Sequence, residues 1–209
     1  MFIPASFRVD DLSTLHAFMQ RYSFATLVTR TTAGELTATH LPLLLNPRHG
    51  EYGALEGHFA RANPQWRDVA GDTLVMFTGP HAYISPNWYQ AEATVPTWNY
   101  AAVHAYGPLE LIEAQTEAVA VLERTMEKYE SHRPNPWTME RSGAAVTQLL
   151  GAIAPFRIPI ARLEGKWKLN QHHSPERRAL VADALETEGG ENNLGVAELM
   201  RATPPRSSE

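Results

Sequence analysis

Thr97-Trp98-Asn99-Tyr100-Ala101-Ala102-Val103-His104-Ala105-Tyr106 alternates without a break. On a strand, where successive side chains point to opposite faces, Trp98, Tyr100, Ala102, His104 and Tyr106 share one side and Asn99, Ala101, Val103 and Ala105 the other. The first face is aromatic with polar tips; its reverse is small and apolar. Small residues admit the close approach of a backbone or helix, and the aromatic face suits a flat heterocycle or a subunit interface. An aromatic barrel core accounts for the Tyr and Trp rings as well. It accounts less well for His58, His81 and His104, because a buried imidazole needs partners. The alternation continues to Ile112, interrupted at Gly107-Pro108.

Working outward, period two recurs. Phe24 to Thr29 reads as a strand, Thr31 to Glu35 as a turn around Gly34, and Leu36 to Leu45 as a second strand. Ala54 to Ala60 is a third, with Leu55, Gly57 and Phe59 on one face and Glu56 and His58 on the other. Thr73 to Thr78 and Tyr83 to Ser85 follow, separated by a Gly79-Pro80 breaker. Helical spacing appears at the flanks. Asp10 to Tyr22 places Leu12, Leu15, Met19 and Tyr22 on a stripe capped by Asp10 or Asp11. Val119, Leu122, Met126 and Tyr129 form a seam, and Thr138 to Ala152 carries Val146, Leu149, Leu150 and Ile153. Phe156 to Leu163 reads as a late strand with Pro159 at an edge or bulge. Ser174-Pro175 opens a helix through Leu185, Thr187 to Asn193 reads as a loop, and a short helix surrounds Val196 to Met200. Strands joined mostly by short turns predict an α+β chain: an antiparallel barrel or sheet with helices added mainly on the C-terminal side. The expected organisation is a single domain over 1–200 and a frayed tail over 201–209.

Composition narrows the chemistry. The chain has 209 residues and no cysteine, which excludes disulfide scaffolds, thiolate metal sites, iron–sulfur clusters and cysteine nucleophiles. Eighteen Lys and Arg against 23 Asp and Glu give a net charge of −5, unfavourable for non-specific binding to phosphate backbones. No apolar run approaches the roughly 20 residues of a membrane span, and no secretion signal is visible, so the expectation is a cytoplasmic protein without membrane contact. Phosphate-loop, dinucleotide-fold, zincin and nucleophile-elbow motifs are missing.

Two segments offer anion chemistry. Gly57 to Trp66 ends a strand in a dense run of donors, with the planar cation of Arg61 beside Asn63-Pro64. This is either a cradle for a phosphate dianion or a surface loop with a local ion pair. Gly165-Lys166-Trp167-Lys168-Leu169-Asn170-Gln171, placed between a strand and the Ser174 helix, could close over an anion or form a solvated turn. His172-His173 would diverge on a helix and face opposite sides on a strand, which disfavours a metal site there.

Taken in order, these segments resemble the PaiB-type FMN-binding negative transcriptional regulators. The match rests on Met1-Phe2-Ile3-Pro4 with Phe7, Ala38-Thr39-His40-Leu41-Pro42, Gly57-His58, and Ala60-Arg61-Ala62-Asn63-Pro64-Gln65-Trp66. It continues through Gly79-Pro80, Tyr83-Ile84-Ser85-Pro86, Trp88-Tyr89, Val95-Pro96-Thr97-Trp98-Asn99-Tyr100, Gly165-Lys166 and Lys168-Leu169, covering the chain to about Arg201. The resemblance implies an antiparallel split β-barrel of FMN-binding type, a homodimer, and FMN near the subunit interface. It implies Arg61 as phosphate clamp with His58 and Asn63 as supporting donors, Thr97 and Trp98 at the flavin, Lys168 completing the anion site, and His40 and Tyr83 in the pocket. Asn170-Gln171-His172-His173 departs from the Ser-Gln-Asn-like run expected after Lys-Leu.

The function so implied is an FMN-binding regulatory protein of the cytoplasm. A flavin-dependent oxidoreductase or flavin reductase acting on a small molecule is the alternative, and a regulatory binding protein is favoured over an enzyme. A haem-binding split barrel with His40, His58, His81 or His104 as axial ligand comes third. DNA binding follows from the family label, yet neither charge nor motif supports it. The predicted helices at 117–130 and 139–152 are separated by His132-Arg133-Pro134-Asn135-Pro136, too rich in proline for a helix-turn-helix.

Overall fold

The computed structural model describes residues 1–90, 92, 94–143 and 145–205, and the side chains of residues 142, 146, 147 and 149 also fall outside the description. In chain order the elements are β1 (Arg8–Val9), α1 (Leu12–Arg21), β2 (Phe24–Arg30), β3 (Leu36–Pro42), β4 (Leu44–Asn46), β5 (Ala54–Ala60), β6 (Thr73–Ile84) and β7 (Thr97–Gly107). Then come β8 (Glu110–Leu111), α2 (Gln115–Glu130), α3 (Met139–Ser142), α4 (Ala145–Ala152), β9 (Ile153–Pro159), β10 (Arg162–Lys168), α5 (Pro175–Glu188) and α6 (Glu191–Ala202). The expected α+β class with antiparallel pairing is what the chain adopts.

The chain divides into two units. The first takes Met1–Phe18, Thr78–His104 and Glu164–Glu209. In it β1, β10, β7 and β6 lie in that order. The alternation of β7 holds: Asn99, Ala101 and Val103 are fully buried, whereas Trp98 is 47% exposed. Asp11 caps α1, its carboxylate accepting from the Thr14 amide and from both the Ser13 and Thr14 hydroxyls. The Phe18 ring of α1 meets Trp167 at 4.7 Å between centroids. Two glycines make room for this helix: a Cβ on Gly79 would stand 2.6 Å from the Phe18 ring, and one on Gly165 2.3 Å from the Leu15 side chain. Ser174 caps α5 as its sequence predicts, its hydroxyl accepting from the Arg177 amide.

The second unit takes Met19–Phe77 and Ala105–Leu163. Here β6, β2 and β3 are neighbours, and a second sheet runs β4-β5-β9-β8. Strands β5 and β9 pair over seven residues with Gly57 opposite Phe156. The buried rings of Phe59 and Phe156 meet at 4.8 Å between centroids, tilted by 36°.

Several sequence expectations are corrected. Gly79-Pro80 does not interrupt a strand: β6 runs through both. β2 pairs with β6 over Leu74 to Met76, short of Gly79-Pro80, and the His81 amide donates to the Asn192 side chain of α6 at 3.3 Å. The expected strand over Leu36 to Leu45 is two, since β3 and β4 join different sheets. The expected helix over Thr138 to Ala152 is broken at Gly143, whose φ of +51° an L side chain rarely adopts. The side chains of Val146 and Leu149 lie outside the described residues.

Other corrections concern the C-terminal half. The late strand begins at Ile153 and stops at Pro159, and the segment read as a turn from Gly165 is part of β10. The buried face of α2 is Ala118 and Val121, one position off the expected seam of Val119 and Leu122. Thr187 to Asn193 is not a loop; Gly189 and Gly190, at φ +69° and +86°, reverse the chain alone. Of the expected tail, Arg201 and Ala202 are helical, and residues 206–209 lie outside the described residues.

The polar face of β5 is not solvent-facing at its centre. Glu56 is 1% exposed and shared by two guanidiniums, Arg157 at 2.8 and 3.1 Å and Arg124 at 2.5 Å; Arg157 also reaches Glu117 at 2.6 Å. This network ties α2 to β5 and β9. Burial by itself raises the Glu56 pKa, but the bonds from Arg157 and Arg124 outweigh it and hold the group below its ordinary 4.5. Glu56→Ala leaves Arg157 without its buried counter-charge and is expected to cost about 3 kcal/mol, read as a lower urea midpoint at pH 7. The folded pKa lies below the unfolded one, so this stabilisation is full above pH 4.5 and is lost as pH falls through the lower folded value. The gap between wild type and variant therefore closes in acid.

Candidate functional site

In the second unit, the segment after β5 is organised by a buried amide. Gln65 sits in the 3₁₀ turn Pro64–Arg67 at 5% exposure. Its Nε2 donates toward the Leu27 carbonyl (3.3 Å), the Thr29 hydroxyl (3.1 Å) and the Thr37 carbonyl (3.1 Å), and its Oε1 accepts from the Thr39 hydroxyl. Asn63 caps the turn through Oδ1, which accepts from the Gln65 amide at 2.9 Å, while its Nδ2 donates to Thr39 Oγ1 at 3.0 Å. The run of donors seen in the sequence is thus partly internal: Asn63 retains one amide hydrogen for any other partner.

Arg61, first residue beyond β5, is fixed at its root and free at its tip. Its amide donates to the Ala152 carbonyl at 2.8 Å and its Nε to the Gly151 carbonyl at 2.9 Å. Both acceptors end α4, where carbonyls lack helical partners and the helix dipole favours a cation. The guanidinium lies 5.8 Å from the centre of the Trp66 ring, whose other cationic neighbour is Arg67 at 5.1 Å. The Arg61 terminal nitrogens have no acceptor among the described residues. His58, half-buried on β5, has no hydrogen-bond partner among them either, and burial pushes its pKa down, favouring the neutral ring. His40 stands on β3 opposite Thr26, with Nδ1 and the Thr26 hydroxyl 3.0 Å apart, and stacks with Phe24 at 6.4 Å.

The remaining sequence-named residues belong to the first unit. Lys168, at the end of β10, donates to the Thr97 hydroxyl and, at 2.9 Å, to the Trp98 carbonyl. Burial, then the nearby Lys166 charge, lowers its pKa below that of an ordinary ammonium. Trp98 is flanked by His81, stacked at 5.8 Å, and by Tyr83, edge-on at 6.2 Å; Trp98 and Tyr83 are about half exposed. This gives an exposed aromatic platform with an ammonium held at its base. The structure therefore brings Thr97, Trp98, Lys168 and Tyr83 into one group, and His58, Arg61 and Asn63 onto one strand end.

The residues after Lys168 have structural work. Asn170 turns the chain at φ +59° and donates to the Tyr89 hydroxyl at 3.0 Å, and Gln171 closes back on Leu169 and Trp167. His172 and His173 do not diverge. In this turn their rings lie 4.2 Å apart, with Tyr89 against His173. Sequence reasoning missed Thr39 and Gln65 as the supports of the strand end, although both stand in segments that carry the resemblance.

This α+β fold is that of the flavin split-barrel proteins. The flavocytochrome Anf3 from Azotobacter vinelandii superposes with a TM-score of 0.59 at 16% identity, covering 83% of this chain and 75% of that one. The FAD and heme binding protein from Mycobacterium smegmatis gives 0.56 at 14% identity, over 88% and 80%. Residues 1–162 match the family described as "Putative FMN-binding domain", and the chain belongs to that family. It is 41% identical over 203 residues, 96% of each chain, to the "Protease synthase and sporulation protein PAI 2" of Bacillus subtilis (strain 168). An uncharacterized protein of Aspergillus fumigatus is 28% identical over 188 residues, 71% of this chain and 72% of that one.

Gln65→Ala strands the acceptors on β2 and β3 in a buried place and is expected to cost about 2–3 kcal/mol of stability. Urea denaturation checks this, and an unchanged midpoint would show that the turn is held by other means.

Proposed function

We propose that the chain binds FMN with its phosphate on Arg61, as a regulatory flavoprotein rather than a turnover enzyme. The observation that carries the reading is the state of Arg61: a guanidinium rooted on the carbonyls of Gly151 and Ala152, with its terminal nitrogens unclaimed. A planar fork of that kind matches the oxygens of a phosphate monoester. Neutral His58 and the spare amide hydrogen of Asn63 add donors on the same strand end. The donor set fits the group.

Thr97 and Trp98 are assigned to the flavin ring, Lys168 to positive charge beside it, and Tyr83 and His40 to the surrounding pocket. The exposed Trp98 ring supports this, since a flat aromatic surface suits an isoalloxazine. FMN when bound supplies one- and two-electron chemistry; the chain's own part is to orient it and shield it from water. A homodimer and a cytoplasmic location belong to the same proposal. No helix among the described residues is long and apolar enough to cross a membrane. The regulatory reading rests on the resemblance to the PaiB-type regulators, with the Bacillus relative's name referring to sporulation.

Arg61→Ala is expected to weaken FMN binding by about tenfold or more, the equivalent of one charge-assisted contact of about 1.5–3 kcal/mol. Titration of flavin fluorescence reads the effect. Riboflavin, which lacks the phosphate, should bind wild type and variant alike. Equal FMN affinity in the two proteins would overturn the clamp.

A further inference from the structure

One concavity of the second unit lies away from Arg61. A cavity of about 760 Å³ opens between β4, the residues after it, and α2. Its volume is that of a site for a small organic molecule. Leu44, Leu45 and Pro47 give it an apolar side, and Arg48, Arg124 and Lys128 bring three cations to its lining. Two carboxylates, Glu56 and Glu127, also line it.

These charges are not equivalent. Glu56 is committed to Arg124 and Arg157, and Arg124 spends one nitrogen on it. Lys128 has no carboxylate within ion-pair distance among the described residues; its nearest described charge-type contact is the Tyr129 ring, 5.5 Å away. Its ammonium is half-buried, and that burial lowers its pKa. A partly desolvated cation without a counter-charge, facing a cavity with an apolar side, is a place where a small anion replaces lost hydration. Three cations against two carboxylates leave one net positive charge, which matches a monoanion and disfavours a dianion.

We propose that this cavity is a second ligand site, for a small organic carboxylate whose head group meets Lys128 and whose apolar body lies on Leu44, Leu45 and Pro47. It shares no residue with the proposed flavin site and does not depend on that reading. Arg48 supports the carboxylate from the rim.

Octanoate, titrated calorimetrically into the full chain without flavin, tests the proposal, with acetate, 1-octanol and inorganic phosphate as comparisons. Octanoate should bind at least tenfold more tightly than acetate or phosphate, because both the charge and the apolar body are recognised. Lys128→Met, which keeps the stem and removes the charge, should weaken octanoate about tenfold while leaving 1-octanol unaffected, and Lys128→Arg should restore it. Arg48→Met, at an exposed position, should weaken octanoate in the same direction. An unchanged urea midpoint in Lys128→Met shows that the variant is folded. Octanoate binding that ignores the Lys128 charge would overturn the proposal. So would acetate or phosphate binding as tightly as octanoate, or no octanoate binding at all.

Discussion

The strand end that carries Arg61 depends on the buried amide of Gln65. A primary amide taken out of water must find partners for its oxygen and both hydrogens, or its burial is costly. Gln65 finds them on the Leu27 and Thr37 carbonyls and the Thr29 and Thr39 hydroxyls, spread over two neighbouring strands. The amide thus fixes where the chain goes after β5. Asn63, bonded to both the Gln65 amide and Thr39, transmits that placement to the residues just before it.

The two cations the sequence singled out are in different conditions. Arg61 is anchored by its amide and its Nε, and its fork is left open. Lys168 spends donors on Thr97 and on the Trp98 carbonyl, and so helps shape the start of β7 as well as carrying charge. In the proposed reading, a phosphate at Arg61 would meet a preorganised fork with little ordering entropy left to lose, whereas an anion at Lys168 would share the ammonium with two acceptors already present.

Much of this was legible in the sequence. Period two marked β2, β5 and β7, and Asp11 and Ser174 announced their helices because capping chemistry is local. The features that escaped are non-local. Gly79-Pro80 reads as a break, yet β6 runs through it, beyond its pairing with β2 and with the Phe18 ring over Gly79. Gly165 to Lys168 reads as a polar turn, yet Trp167 is buried in a strand. Glu56 and Gln65 look like solvated residues beside their neighbours. Their partners lie 26 to 101 positions away, so burial of their polar groups is visible only after folding.

The central claim, that a Gln65-braced strand end presents Arg61 to the phosphate of FMN, is tested most directly by a crystal structure of the chain grown with FMN. The account predicts the phosphate oxygens about 2.7–3.0 Å from the Arg61 terminal nitrogens, with the Gln65 bonds intact. FMN bound with its phosphate on other residues, and Arg61 left in solvent, would contradict it.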